Sequence, residues 1–172
     1  KEGVNAAEFA TKYISKLMSL RKDLEKRQPK NSIFNPPYST LSIGGIFGGI
    51  AHNVIADKCH VNWETRPVNR EDGIFLNKEI DDYANNHLLL EMKKTYPGSS
   101  IKKEIIGEII GFNRINDSKA CEFVSSITGD NERDVVSFGT EAGLFQEIGI
   151  STVVCGPGSI EQAHKIDEFI EL

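Results

Sequence analysis

Cys59-His60-Val61-Asn62-Trp63-Glu64-Thr65-Arg66 alternates in polarity along its whole length. Cys59, Val61, Trp63 and Thr65 fall on one face, and His60, Asn62, Glu64 and Arg66 on the other. That pattern predicts a strand with one buried side and one wet side. Such a strand needs a ladder partner and a cover for its apolar face. The β-rich run Ser39–Ile46, which leads into Gly48-Gly49, is a further strand candidate. Two amphipathic helices supply the cover. The first spans Gly3 to Arg27, with Ala7, Ala10, Ile14, Leu17, Met18 and Leu24 recurring at helical spacing. Gln28-Pro29-Lys30-Asn31 ends it, and Asn35-Pro36-Pro37 makes an extended connector. The second spans Asp72 to Tyr96, with Leu76, Ile80, Tyr83, Ala84, His87 and Leu88 on one stripe and Pro97-Gly98 as the stop. Ile101–Ile110 is a further strand candidate. The expected fold class is therefore α/β of the α+β kind: an antiparallel sheet covered on one face by two helices.

Beyond Asn113 the pattern changes. A short helix is expected over Ser118–Thr128, opened by Asn116-Asp117 and closed by Gly129-Asp130-Asn131. A brief β-like Asp134-Val135-Val136 and a helix over Gly139–Ile148 follow. Ser151–Cys155 reads as a short strand buried on both sides, running into Gly156-Pro157-Gly158. This is alternating α/β with too few strands to close a core. The expected domain division is 1–112 and 113–172, the second part incomplete and loosely packed.

The 172 residues carry 25 acidic and 20 basic side chains, a formal net charge of −5. That balance offers no electrostatic footprint for nucleic acid or an anionic membrane surface. No apolar run reaches the roughly 20 residues that cross a bilayer. Cys59, Cys121 and Cys155 are odd in number and widely spaced. They form no disulfide framework, so a reducing, cytoplasmic setting is expected.

Candidate chemistry is sparse. His87 on an apolar stripe reads as packing, His60 as solvated, and His52 as a turn residue. His164 follows a strand and a glycine-rich loop, the place where open α/β sheets bind ligands. Asp167 and Glu168 stand near enough to orient it. Its residue type suits a metal ligand, an acid/base group or a plain surface histidine. No H-x-x-x-H, H-x-D or Glu-Glu pair occurs, so a complete three-ligand zinc site is not expected from this chain. The run Gly44-Gly45-Ile46-Phe47-Gly48-Gly49 lacks the Lys-Ser/Thr ending of a phosphate loop and reads as a bulge or a close backbone approach. No G-x-S-x-G elbow is present. Asn53 can meet a carboxylate or carbonyl. Arg66 suits bidentate carboxylate recognition, or a surface ion pair with Glu64. Gly139-Thr140-Glu141 can cradle an anion at a helix start, or Thr140 can simply cap that helix.

Taken together, these residues resemble one family. Gly48-Gly49-Ile50-Ala51-His52-Asn53-Val54-Ile55-Ala56-Asp57-Lys58-Cys59 with Glu64-Thr65-Arg66-Pro67 resembles the G-G-x-A-x-N-V-I-P-D-x-C … D-x-R stretch of zinc-dependent M20 metallopeptidases. Ala56 replaces the usual Pro, and Glu64 the usual Asp. Gly139-Thr140-Glu141-Ala142-Gly143-Leu144-Phe145 and the run from Gly156 to Phe169 are similar to the C-terminal motifs of the family's acetylornithine-deacetylating branch, with Ile166 where Pro is usual. Gly3-Val4-Asn5-Ala6 is similar to the opening of the first helix of the family's lid, or dimerisation, domain.

The resemblance implies a lid/dimerisation domain over 1–112. It implies the C-terminal, incomplete segment of a zinc-exopeptidase-like catalytic domain over 113–172, without the family's final helix and with most metal ligands and the catalytic glutamate upstream. It makes His164 a zinc (or cobalt) ligand. Asn53, Arg66, Gly139 and Thr140 become substrate-binding positions. The implied parent activity is zinc-dependent removal of the acetyl group from an N-acylated amino acid, N2-acetylornithine in arginine biosynthesis. In that chemistry a metal-activated water attacks the amide and lid donors stabilise the oxyanion. The implied partners are that small molecule and a second copy of the chain, joined through the lid. The alternatives are a desuccinylase or carboxypeptidase of the same family or, for this chain alone, a non-catalytic dimerisation module.

Overall fold

The computed structural model describes residues 3–109, 111, 118–131, 135, 139–163 and 165–170. The expected elements at Asn116-Asp117, much of Asp134–Val136, and Ile110 fall outside them. Contacts divide the chain into two units, Lys1–Ile106 with Val135–Ser137, and Gly107–Asp134 with Phe138–Leu172.

In the first unit, helix α1 (Ala6–Lys26) starts where the Asn5 side chain accepts the Ala7 N–H. Strands β1 (Thr40–Gly48) and β2 (Cys59–Arg66) pair antiparallel, from Thr40 opposite Arg66 to Gly48 opposite Cys59. Helix α2 (Arg70–Tyr83) continues through a π turn (Ala84–Leu88) into α3 (Leu89–Thr95). Together they make the mixed α/β layer expected, a two-stranded antiparallel sheet with helices.

The core joins the two helices to the sheet. Leu17, Leu20 and Leu24 of α1, Leu76 and Ile80 of α2, and Leu41 of β1 are buried against one another. Tyr13, Ile43, Trp63 and Phe75 pack around them. Full burial of each large aliphatic side chain contributes about 1.5–3 kcal/mol. Three pairs fix the helix direction: Lys12 with Glu91, Lys16 with Glu79, and Arg27 with Asp72. Numbers rise along α1 as they fall along its partner, so the helices run antiparallel.

The π turn has a cause in the sequence. Leu76, Ile80, Ala84, Leu88 and Met92 are all buried, and they are spaced by four throughout. At 3.6 residues per turn a four-residue repeat drifts about 40° per step. One wider turn offsets part of that drift and helps keep the five toward one side. The same turn corrects the sequence reading of His87. It was expected on the packing stripe, but it is exposed, its ring 5.6 Å from that of Tyr83.

The glycine run makes both a bulge and a close approach. The ladder register shifts between Ile43 and Gly45. At Gly48 a Cβ would sit 2.7 Å from the Lys58 carbonyl oxygen and 2.9 Å from the Cys59 Cα. At Gly45 it would meet the Phe47 ring.

The expected strand at Ile101–Ile110 is not formed over 101–109. A strand exists through its ladder, and among the described residues β1 and β2 pair only with each other. Ile105, Ile106 and Ile109 of that segment are exposed. Lys103 nonetheless ties the segment to α2 through Asp81 at 2.6 Å and Asn77 at 3.2 Å.

In the second unit, α4 (Lys119–Thr128) is capped by Ser118, whose Oγ accepts the Cys121 N–H, and ends at Gly129 in the left-handed region. Helix α5 (Ala142–Glu147) is shorter than the Gly139–Ile148 expected. The expected buried strand Ser151–Cys155 is neither a strand nor buried: Val154 and Cys155 are exposed. No ladder neighbour stands beside it among the described residues. Ser151 Oγ instead accepts the Ala120 N–H at 3.0 Å and supports the start of α4. No described helix is long and apolar enough to cross a membrane.

Two stability measurements check these assignments. Gly48→Ala should destabilise the protein by about 1–3 kcal/mol, because the obstructing atoms are backbone; denaturant unfolding reads it. Leu88→Ala should cost about 2–5 kcal/mol in the same experiment, since the π turn places Leu88 in the core.

Candidate functional site

The first unit carries two of the expected site residues, at opposite ends of its ladder. Asn53 is exposed in the β1–β2 connection. That connection is anchored at the start of α1, where the Ala6 N–H donates to the Ala56 carbonyl at 2.9 Å. Arg66 is the last residue of β2, opposite Thr40. Seven strand steps separate Cys59 from Arg66, about 23 Å at the usual rise. One small carboxylate does not span that distance, so within a single chain Asn53 and Arg66 do not converge.

Arg66 is exposed, and its Nη2 lies 3.2 Å from Glu64 Oε1 on the same wet face of β2. This is the surface ion pair foreseen as one alternative. It is worth little to stability at such exposure, and it keeps the guanidinium on the outer face beside His60, Asn62 and Glu64.

The end of β2 is held by a cluster that the sequence reading missed. Asp72, in the first turn of α2, is 2% exposed. Its carboxylate accepts Arg27 Nε at 2.7 Å, Ser39 Oγ at 2.5 Å and Asn69 Nδ2 at 3.4 Å. Its own N–H donates to Asn69 Oδ1 at 2.8 Å. Ser39 Oγ also accepts the Val68 N–H at 3.0 Å. The available signal was Asn69-x-x-Asp72, an acceptor three residues before an acidic residue at a helix start.

In the second unit Gly139 and Thr140 precede α5. Thr140 Oγ1 accepts the Ala142 N–H at 3.0 Å. That bond closes a turn just ahead of α5, whose N-cap is Glu141 with no side-chain cap bond. A Cβ at Gly139 would lie 2.8 Å from Ile109 Cδ1, the end of an exposed side chain that can move aside. His164 lies outside the described residues. The turn before it, Ile160–Gln162, is capped by Ser159 Oγ, which accepts the Glu161 N–H at 3.3 Å.

No three His, Cys, Asp or Glu side chains come together to hold a metal ion among the described residues. A zinc centre is therefore not fitted by the described part of this chain. The three cysteines are free thiols.

Residues 1–91 match the peptidase dimerisation domain of the M20 peptidases. The chain belongs to the M20 peptidase family. It is 36% identical over 169 residues to an acetylornithine deacetylase of Pectobacterium atrosepticum, covering 98% of this chain and 42% of that protein. Acetylornithine deacetylases of Erwinia tasmaniensis, at 36% identity over 169 residues, and Photorhabdus laumondii, at 34% over 170, match over the same share of their length. The chain thus spans about two fifths of the curated relatives it matches. The dimerisation match covers the whole described helix–hairpin–helix core up to Glu91 of α3, the partner of Lys12.

Tyr13 gives this core an alkaline signature. Burial pushes its hydroxyl above the ordinary 10.0, a shift partly offset by the hydrogen bond from the Trp63 indole and reinforced by the negative charge of Asp81. A raised folded value contributes stability that is intact below pH 10 and lost as pH rises through the folded value. Stability should therefore fall above about pH 10, and less steeply in Tyr13→Phe. Denaturant midpoints measured between neutral and strongly alkaline pH check this.

Proposed function

We propose that this chain supplies the lid and substrate-carboxylate grip of a zinc-dependent amidohydrolase that removes the acetyl group from N2-acetylornithine. The observation that carries the reading is 36% identity over 98% of the chain to acetylornithine deacetylases. The match runs through both the hairpin and the motifs at Gly139–Phe145 and Gly156–Phe169. Arg66 binds the substrate carboxylate as a charged fork, and Asn53 donates its amide to a carbonyl or a developing oxyanion. Gly139 and the Thr140 hydroxyl, in the second unit, are the remaining substrate-binding positions of this reading. His164 would be the one ligand this chain contributes to a zinc ion, which would polarise the scissile amide. Without H-x-D or Glu-Glu in its sequence, the 172-residue chain alone does not turn over substrate.

A second copy completes the arrangement. The ladder keeps Asn53 and Arg66 at opposite ends, so a ligand touching both takes them from two lids. The hairpin offers the surface for such pairing: Phe47 is 58% exposed, Ile50 87% and Val54 48%, well above what an apolar side chain needs to be free. A reducing, cytoplasmic setting suits the three free thiols. The alternative within the family is a desuccinylase or carboxypeptidase, and outside catalysis a dimerisation module.

Calorimetric zinc titration with a hydrolysis assay on N-acetylornithine tests the reading. The expected result is weak zinc binding, reduced further in His164→Ala, and no turnover, with N-acetylornithine binding weakened about tenfold or more in Arg66→Ala. Tight stoichiometric zinc with turnover would overturn the placement of the metal centre. Ligand binding indifferent to Arg66 would overturn the carboxylate grip.

A further inference from the structure

We infer that Asp72, acting through Ser39, is the positioning residue that aims Arg66 at its ligand; this rests on the reading of Arg66 as a carboxylate grip. The cluster is placed for that purpose. Ser39 immediately precedes Thr40, the ladder partner of Arg66. Val68, whose N–H is held by Ser39 Oγ, follows Arg66 by two residues. On the other side, Thr65 Oγ1 donates to the Thr40 carbonyl at 2.9 Å. Pro67, between Arg66 and Val68, has its φ fixed by its ring and stands 3.7 Å from where a Cβ on Gly73 of α2 would lie. Thr40, Thr65 and Val68 beside Arg66 are therefore hydrogen-bonded, and the bond from Val68 leads through Ser39 to one buried carboxylate.

The chemistry of that carboxylate makes the tie directional. A buried ion costs several kcal/mol unless paired and hydrogen-bonded. Asp72 meets this with Arg27, Ser39, Asn69 and the start of α2, whose free N–H groups favour negative charge. Among the described residues no buried side-chain polar atom lacks a partner. The carboxylate cannot leave without exposing an unpaired charge or stranding these donors. It therefore holds the end of α1, the entry to β1, the exit of β2 and the start of α2 in one relative position. Arg66 projects from that junction with an exposed side chain that pairs with Glu64. A long, exposed side chain binds a carboxylate well only if its root is held, because the ordering cost is then smaller.

The test separates aiming from mere folding. Affinities for N-acetylornithine and for its carboxamide are measured on the wild-type chain, Arg66→Ala, Asp72→Asn and Ser39→Ala. The ratio of the two reports the carboxylate grip alone. Amide exchange by NMR is followed in parallel at both ends of the ladder. The inference expects a wild-type preference for the acid that Arg66→Ala abolishes. It expects Asp72→Asn and Ser39→Ala to reduce that preference by about tenfold, the scale of one charge-assisted contact. Exchange should rise at the Thr40–Arg66 end and not at the Gly48–Cys59 end. If the wild-type chain shows no preference, the carboxylate reading falls and this inference with it. If Arg66 sets the preference but Ser39→Ala and any folded Asp72→Asn keep it, the inference alone is overturned. Equal loss of protection at both ends reduces Asp72 to a general stabiliser and overturns it as well. Ser39→Ala carries the test should Asp72→Asn fail to fold, since it removes the two hydrogen bonds of the Ser39 hydroxyl and leaves the Arg27–Asp72 ion pair.

Discussion

A single buried carboxylate organises the first unit. Asp72 cannot be charged and 2% exposed without company, and each partner it draws in belongs to a different element. Arg27 brings the end of α1, stacked 4.4 Å over the Phe75 ring. Ser39 brings the entry to β1, and Asn69 brings the exit of β2. The antiparallel course of the helices and the place where the ladder stops both follow from that convergence. Apolar burial drives the collapse, but it is non-directional; the polar cluster specifies which ends meet.

Hydrophobic spacing does the rest, and it overrides helical regularity. The four-residue repeat from Leu76 to Met92 is a stronger demand than an unbroken α ladder, so the helix widens at Ala84–Leu88. In the hairpin, Gly44 absorbs the extra residue of the bulge and Gly48 lets the two backbones close at the turn end. The second unit shows the opposite condition. Phe123, Ile127, Ile148 and Ile166 are exposed, and the strand-like run Ser151–Cys155 has no ladder among the described residues.

Much of this was legible in the residues, for reasons that differ by element. The alternation of Cys59–Arg66 specifies a strand because period two has no other reading, and the structure places it at those residues. The helices followed from their periodicity, but Leu20 escaped notice and His87 was misplaced, since a 3.6-residue stripe does not foresee a π turn. Residues 101–109 and Ser151–Cys155 have strand composition and no strand: propensity describes the side chains, whereas a strand also needs a neighbour. Asp72 was invisible for a similar reason, as its burial is a fact of four elements meeting. At the site, Arg66 and Asn53 could be picked out by type and by resemblance, but not their separation, which only the register reveals.

That separation gives the chain its functional logic on the proposed reading. A rigid hairpin carries an amide at one end and a guanidinium at the other, so two hairpins are needed to surround one small ligand. Mixing Asn53→Ala chains with Arg66→Ala chains tests this most directly, with N-acetylornithine binding followed by NMR titration. Each variant alone should bind weakly. Random pairing should restore about a quarter of the wild-type sites, because half the dimers are mixed and each mixed dimer has one site with both groups. Binding in the mixture no better than in either variant alone would contradict the account and require both residues to act within one chain or at separate sites.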